Sequence, residues 1–303
     1  MANLVGGLGC SHAPSIGAVY DRRQTDEAGW KPLFESISAG GRWVAAQKPD
    51  ALVVIYNDHM DELWLDNWPT FMIGVADSLQ IADEGFGPRA FPPVPGHPRL
   101  ATHLAHALIA DGFDLSVLRE QVVDHGILSP LPMLDQDTAR GGAAGEGLRP
   151  AAEEGGAPPS VNWAVPIVPV GINVVWDPLP SPRRCWELGR ALGRAIRSYE
   201  EDIRVVVIGT GGLSHELEGE DFGLIHYEWD RKFLDLIQNE PEALSRYTME
   251  EFRRLGGHHS VEIVQWIAMR AALPEEARAE FVYYYPKQVM GYAVAAFATA
   301  DGG

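Results

Sequence analysis

The chain has 303 residues, with 42 Asp and Glu against 24 Lys and Arg, a formal charge of −18, and 46% hydrophobic residues. That apolar share excludes whole-chain disorder, and neither a collagen triplet nor a heptad period occurs. So negative a chain is repelled by nucleic acid and by anionic membrane surfaces, which excludes both as partners.

In chain order, short β-type runs alternate with longer helical ones. Residues 4–10 form a short apolar run that ends in small residues, and residues 33–47 read as a helix. Residues 51–56 (ALVVIY) have the length and β-branching of a buried strand. Residues 98–111 read as a helix, with Pro98 suited to its first turn and Gly112 to its stop. Residues 115–118 and 165–170 read as strands, the second placed near an edge or bulge by its two prolines. An amphipathic helix over 183–199 leads to the clearest buried strand, 204–208 (RVVVI). Helices over 223–238 and 258–272 follow, then closing strands over 281–285 and 289–297. This alternation predicts a single α/β domain over 1–303, with a mainly parallel or mixed central sheet covered by helices. Residues 137–160 are rich in Gly, Ala, Pro and Glu and read as a flexible surface insertion.

Two cysteines, Cys10 and Cys185, are too few for a disulfide scaffold or a Cys-rich zinc site. The first residues lack a basic segment followed by an apolar one, and the apolar runs are strand-sized. A cytoplasmic protein is expected.

Three strands run into a histidine. Residues 4–10 lead to Ser11-His12, residues 51–56 to Asn57-Asp58-His59, and residues 204–208 through Gly209-Thr-Gly-Gly to Ser214-His215. Ligands of open α/β sheets gather beyond the carboxyl ends of strands, so three imidazoles on that edge suggest a site. His125, in Val-Asp-His-Gly, is a fourth. His103 and His106 read as residues of a helix face. Glu262 lies among Val261, Ile263, Val264 and Trp266. It reads equally as part of an exposed stripe with Gln265 and Met269 or as a carboxylate that reaches a cation. In the second case His12, His59 and Glu262 form a two-His, one-carboxylate set. Such a set suits Fe(II) with open positions, and zinc with water is the competitor. His215 and His125 then remain for acid–base work. Gly6-Gly7-Leu8-Gly9 lacks the complete dinucleotide fingerprint, and Ser214-His215 lacks a nucleophile elbow.

Several stretches carry a resemblance: SHAPSIGA at 11–18, VVIYNDH at 53–59, ADEGFGPR at 82–89, VDHGILSPLPML at 123–134, GTGGLSHELEG at 209–219 and SVEIVQWIAMRAALP at 260–274. On these the chain resembles the class III extradiol ring-cleavage dioxygenases, in the branch of the protocatechuate 4,5-dioxygenase β subunit and gallate dioxygenase. The resemblance implies Fe(II) held by His12, His59 and Glu262, with His215 as catalytic base and His125 as a second active-site histidine. Asn57 falls where relatives contact substrate. It further implies a catechol-type aromatic substrate and O2, and a homo-oligomer or a separate small subunit. The segment PKQVMGYAV after Tyr285 leans toward the dihydroxyphenylpropionate-type relatives, and residues 137–160 have no counterpart. A metal-dependent hydrolase on the same ligands, and a non-catalytic binding protein on this fold, are the alternatives.

Overall fold

In the computed structural model, which describes residues 1–63, 67–85, 87–134 and 163–299, the apolar runs become the strands of one sheet. They are β1 (Asn3–Cys10), β2 (Ala51–Tyr56), β3 (Phe71–Gly74), β6 (Ser116–Leu118), β8 (Ile167–Ile172), β9 (Arg204–Gly209), β10 (Arg278–Lys287) and β11 (Met290–Ala298). Their order is β10-β11-β1-β9-β2-β8-β3-β6. A smaller sheet orders β5 (Val94–Pro95), β4 (Ser78–Ile81) and β7 (Val122–Val123). The expected insertion at 137–160 lies outside the described residues.

β1, β9, β2 and β8 run parallel, while β11 is antiparallel to β1 and β3 antiparallel to β8. The sheet is mixed, as the alternation of elements predicted. Side chains alternate across it with the two-residue period of a strand. Val53 and Ile55 of β2 join the apolar cluster under the helices Pro98–Ala110, Pro182–Arg197 and Val264–Ala272. Leu52, Val54 and Tyr56 face the opposite cluster, under the helices Pro14–Asp21 and Lys31–Ala46.

The glycines of β1 serve this packing. A Cβ on Gly6 would lie 2.7 Å from Trp43, one on Gly7 2.6 Å from Met269 Sδ, and one on Gly9 2.2 Å from the ring of Trp266. Glycine here lets bulky helix residues rest on the strand, and no dinucleotide loop forms.

Three expectations need correction. β8 is an interior strand, between β2 and β3, and not near an edge. Its Pro169 is tolerated because the registered ladder to β3 stops at Ile73↔Val170, so the missing N–H deprives no registered pair there. The helix expected from 223 begins at Tyr227, because residues before it turn back, with Gly223 N–H bonded to Glu216 O and His226 N–H to Ser214 Oγ. The helix expected over 258–272 is a 3-10 turn over His258–Ile263 followed by an α-helix over Val264–Ala272.

Candidate metal centre

β1, β9 and β2 are neighbours and parallel, so their carboxyl ends open on one edge of the sheet. His12 follows β1 by two residues, His59 follows β2 by three and His215 follows β9 by six. The 3-10 turn His258–Ile263 brings Glu262 to the same place. Its oxygens lie 3.4 Å from His12 Nε2, 3.5 Å from His59 Nε2 and 3.8 Å from His215 Nε2. Glu262 is 8% exposed and Gln265 and Met269 are 0% exposed, so the exposed-stripe reading is wrong.

The glycine turn after β9 packs on the main chain of Glu262 and bonds its carboxylate. Gly211 has φ +108°, and a Cβ there would lie 2.7 Å from Glu262 O. Gly212 N–H donates to Glu262 Oε2 at 2.7 Å. The backbone thus closes on a charged side chain. Ser214 is committed elsewhere: its N–H and Oγ–H both donate to buried Asp230, at 2.8 and 2.7 Å. It is no hydrolytic nucleophile.

Each imidazole is oriented from behind. His12 Nδ1–H donates to Gly126 O at 3.2 Å and Thr210 Oγ at 3.1 Å, while Thr210 Oγ–H donates to Ile55 O. His59 Nδ1–H donates to Asp124 Oδ2 at 2.8 Å, and its backbone N–H to the same oxygen at 2.7 Å. His215 Nδ1–H donates to Leu213 O at 2.8 Å. In all three Nε2 faces the gap around Glu262. His125 Nδ1 bonds Glu84 Oε2 at 2.5 Å, and its ring stacks on His59 with centroids 3.8 Å apart. Ligand nitrogens of His12, His59 and His125 lie within 4.8 Å of one another. His103, by contrast, bonds Ala195 O and Ser198 Oγ on a helix surface, as its sequence position implied.

Asn57 links the parts. Gln265 Nε2 donates to its Oδ1 at 2.7 Å, which turns its Nδ2 toward His59 Nε2 at 3.0 Å and Glu262 Oε1 at 3.5 Å. In the sequence reading Asp124, Glu84, Thr210 and Gln265 have no role in the site. Asp124 and Glu84 stand inside the quoted stretches, but nothing local in the sequence ties them to His59 and His125.

The electrostatics are those of an anion held by imidazoles. Burial opposes the charged form of Glu262, yet His12, His59 and His215 outweigh it and hold the carboxyl well below its usual range. Burial likewise opposes a charged His59, but Asp124 and Glu262 raise its pKa well above the usual value. Asp124, despite burial, is drawn down to about 2 by His59 and His125. Burial, with His59 nearby, lowers His125.

This arrangement fits a metal ion. His12 Nε2 is buried and has no hydrogen-bond partner among the described residues, an orphan that a cation would satisfy. Bonds of about 2.1 Å place donor atoms about 3.0 Å apart at a right angle and about 3.4 Å at a tetrahedral one. The separations of 3.4 and 3.5 Å from Glu262 are of that size. The Asp124 carboxylate on His59 Nδ1 fixes the ring and its tautomer, as partners of metal-bound histidines do. Asp124→Asn is expected to weaken metal binding about 10–100-fold, measured by competition with a chelator. The lowered carboxyl has a second consequence. Asp124 contributes stability that is complete above the usual carboxylate range and is lost as pH falls toward about 2. The metal-free Asn variant should therefore lose less of its stability on acidification than metal-free wild type.

The family model described as the catalytic LigB subunit of aromatic ring-opening dioxygenase matches residues 6–295. A gallate dioxygenase of Pseudomonas putida is 38% identical over 213 residues, 70% of this chain and 56% of that protein, so the match spans little more than half of that relative's length. A 2,3-dihydroxyphenylpropionate/2,3-dihydroxicinnamic acid 1,2-dioxygenase of Rhodococcus jostii is 26% identical over 339 residues, covering 96% of this chain and 97% of its own. Its Escherichia coli counterpart is 28% identical over 325 residues, covering 91% and 92%. The crystal structure of an uncharacterised protein of Escherichia coli K12 aligns with TM-score 0.57 at 14% identity, over 96% of this chain and 99% of that one, which speaks for the fold.

Proposed function

The chain belongs to the LigB family of aromatic ring-opening dioxygenases, and from that premise we propose that it is an extradiol dioxygenase which inserts both atoms of O2 into a catechol-type ring. The cofactor is a metal ion, and we assign it as Fe(II) on His12, His59 and Glu262. The observation that carries this is the buried Glu262 carboxylate facing two Nε2 atoms at 3.4 and 3.5 Å, one of them without any other partner. Two imidazoles and one carboxylate are the set that leaves Fe(II) open positions for dioxygen and substrate. His125 is the rival third ligand. Its ligand nitrogen lies within 4.8 Å of those of His12 and His59, but its ring stacks on His59 and its Nδ1 is engaged by Glu84. A carboxylate also offsets a dication's charge, as a third imidazole does not.

Bound there, Fe(II) supplies Lewis acidity toward a vicinal diol and a redox path between ring and dioxygen. The chain's own groups handle orientation and protons. His215, with Nδ1–H tied to Leu213 O, presents a lone pair at Nε2 beside Glu262 and accepts a phenolic proton. His125, tied to Glu84 at Nδ1, presents Nε2 on the His59 side and serves as the second proton-transfer group. With His59 and Glu262 holding the ion, Asn57 Nδ2, which lies 3.0 Å from His59 Nε2 and 3.5 Å from Glu262 Oε1, would be left to donate to substrate. A homo-oligomer completes the reading, and Leu217, Phe222, Leu224 and Tyr227, exposed just beyond His215, offer it an apolar surface. Among the described residues no helix is long and apolar enough to cross a membrane.

Oxygen uptake by iron-loaded protein with a panel of catechols tests the proposal. One O2 consumed per substrate, with a ring-opened chromophore for at least one catechol, is expected. Turnover that continues without oxygen would instead favour a hydrolase. Binding without uptake would favour a non-catalytic protein.

A further inference from the structure

At the opposite end of the helix that follows Glu262 lies a cavity of about 770 Å³. Six arginines line it: Arg190, Arg194, Arg197, Arg246, Arg270 and Arg278. They are a quarter of the 24 basic side chains of a chain with net charge −18, gathered in one place. We propose that this cavity binds a small organic anion of charge −2 or −3, carrying carboxylate or phosphate groups.

The arginines come from four separate segments. Arg190, Arg194 and Arg197 share one face of the helix Pro182–Arg197 with Trp186, at spacings of three and four residues. Arg246 ends the 3-10 turn Pro241–Arg246, Arg270 sits in the helix Val264–Ala272, and Arg278 opens β10. Basic residues in the last turn of a helix answer its dipole, which gives Arg194, Arg197, Arg246 and Arg270 a local reason to stand where they do, but not Arg190 or Arg278, nor the convergence of all six on one cavity.

Their charge is largely uncompensated. Arg194 pairs with Asp111, and none of the other five has an ion pair among the described residues. Arg270 is 2% exposed and gives its terminal nitrogens to the carbonyls of Pro274, Glu275 and Ala277. Arg278 and Arg197 also bond backbone carbonyls. Carbonyls fix a guanidinium in place without neutralising it. Glu240, Glu242 and Glu275 also line the cavity, which leaves six positive against three negative charges. Burial lowers Arg197 and Arg270, and a neighbouring arginine lowers each further, Arg194 and Arg278 respectively, against the opposing pull of Glu276 on both and of Glu275 on Arg270. Like charges confined this way invite an anion.

The rest of the wall says what kind. Trp186, Leu273 and Pro241 give it apolar surface, suited to a carbon body and not to a bare inorganic ion. A cavity of this volume is in the range of small-ligand sites, about 300–1,000 Å³. Two donors in the wall, Trp186 Nε1 and Arg270 Nε, are buried without an acceptor among the described residues. Guanidinium forks match both carboxylate and phosphate oxygens.

Calorimetric titration of the metal-loaded full chain, at fixed ionic strength, tests this with benzene-1,3,5-tricarboxylate and with phenyl phosphate. Saturable one-to-one binding of at least one probe is expected, and which of them binds tells a carboxylate site from a phosphate site. The double variant Arg190→Ala/Arg246→Ala removes two exposed side chains that hold nothing else in place. It should bind the probe at least tenfold more weakly, with metal content and oxygen uptake unchanged. Failure of both probes to saturate, equal affinity in wild type and variant, or binding of polyglutamate alone would each overturn the proposal.

Discussion

Glu262→Ala is expected to leave a folded chain that no longer holds its metal ion. The carboxylate is the common neighbour of His12, His59 and His215, at 3.4, 3.5 and 3.8 Å. Without it two imidazoles remain, and a dication loses its only anionic donor in the proposed set. Loss of a second-shell partner typically costs 10–100-fold in affinity, so loss of a ligand should exceed about 100-fold. Iron content after desalting should fall to background, and oxygen uptake with it. His12→Ala and His59→Ala should behave alike. Glu262→Ala also strands the buried Gly212 N–H, an orphan that costs about 1–3 kcal/mol. Glu262→Gln keeps an acceptor there, so it separates loss of metal from loss of fold. It should stay folded in the metal-free state, less stable than the metal-free wild type only through the lost charge pairing with the imidazoles, and still fail to retain iron.

His215→Ala is expected to do the reverse, keeping iron and losing turnover. Its Nε2 lies 3.8 Å from Glu262 Oε2, beyond the distance of the two proposed ligands, and its Nδ1–H is fixed on Leu213 O. Removing a positioned general base lowers kcat by about 10²–10⁴-fold. Iron content should match wild type, while kcat falls by that factor. Normal turnover would remove His215 from the chemistry, and loss of iron would make it a ligand.

The centre was legible in part. Three histidines at the ends of β1, β2 and β9 could be read because each follows an apolar run, and the strand-end rule needs only that. Glu262 could not be decided, since an isolated carboxylate in an apolar segment looks the same whether its turn faces solvent or a cation. The answer depends on Gly211 and Gly212 closing over it, a contact between residues about 50 apart in sequence. Asp124 and Glu84 were missed for a related reason. Their roles lie in hydrogen bonds to His59 across 65 residues and to His125 across 41, and no local pattern reports such pairs. The placement of β8 failed because proline rules speak of a strand's own hydrogen bonds, whereas Pro169 survives inside the sheet through the short length of its neighbour β3. The Arg-lined cavity is likewise invisible in sequence, because its arginines come from segments that only the packing of helices unites.

The ligand set is tested most directly by crystals of the iron-loaded protein, with diffraction recorded on both sides of the iron edge. The account predicts one anomalous peak, within about 2.0–2.3 Å of His12 Nε2, His59 Nε2 and a Glu262 oxygen. A peak bound through His125 with Glu262 turned away, or none between these residues, would contradict it.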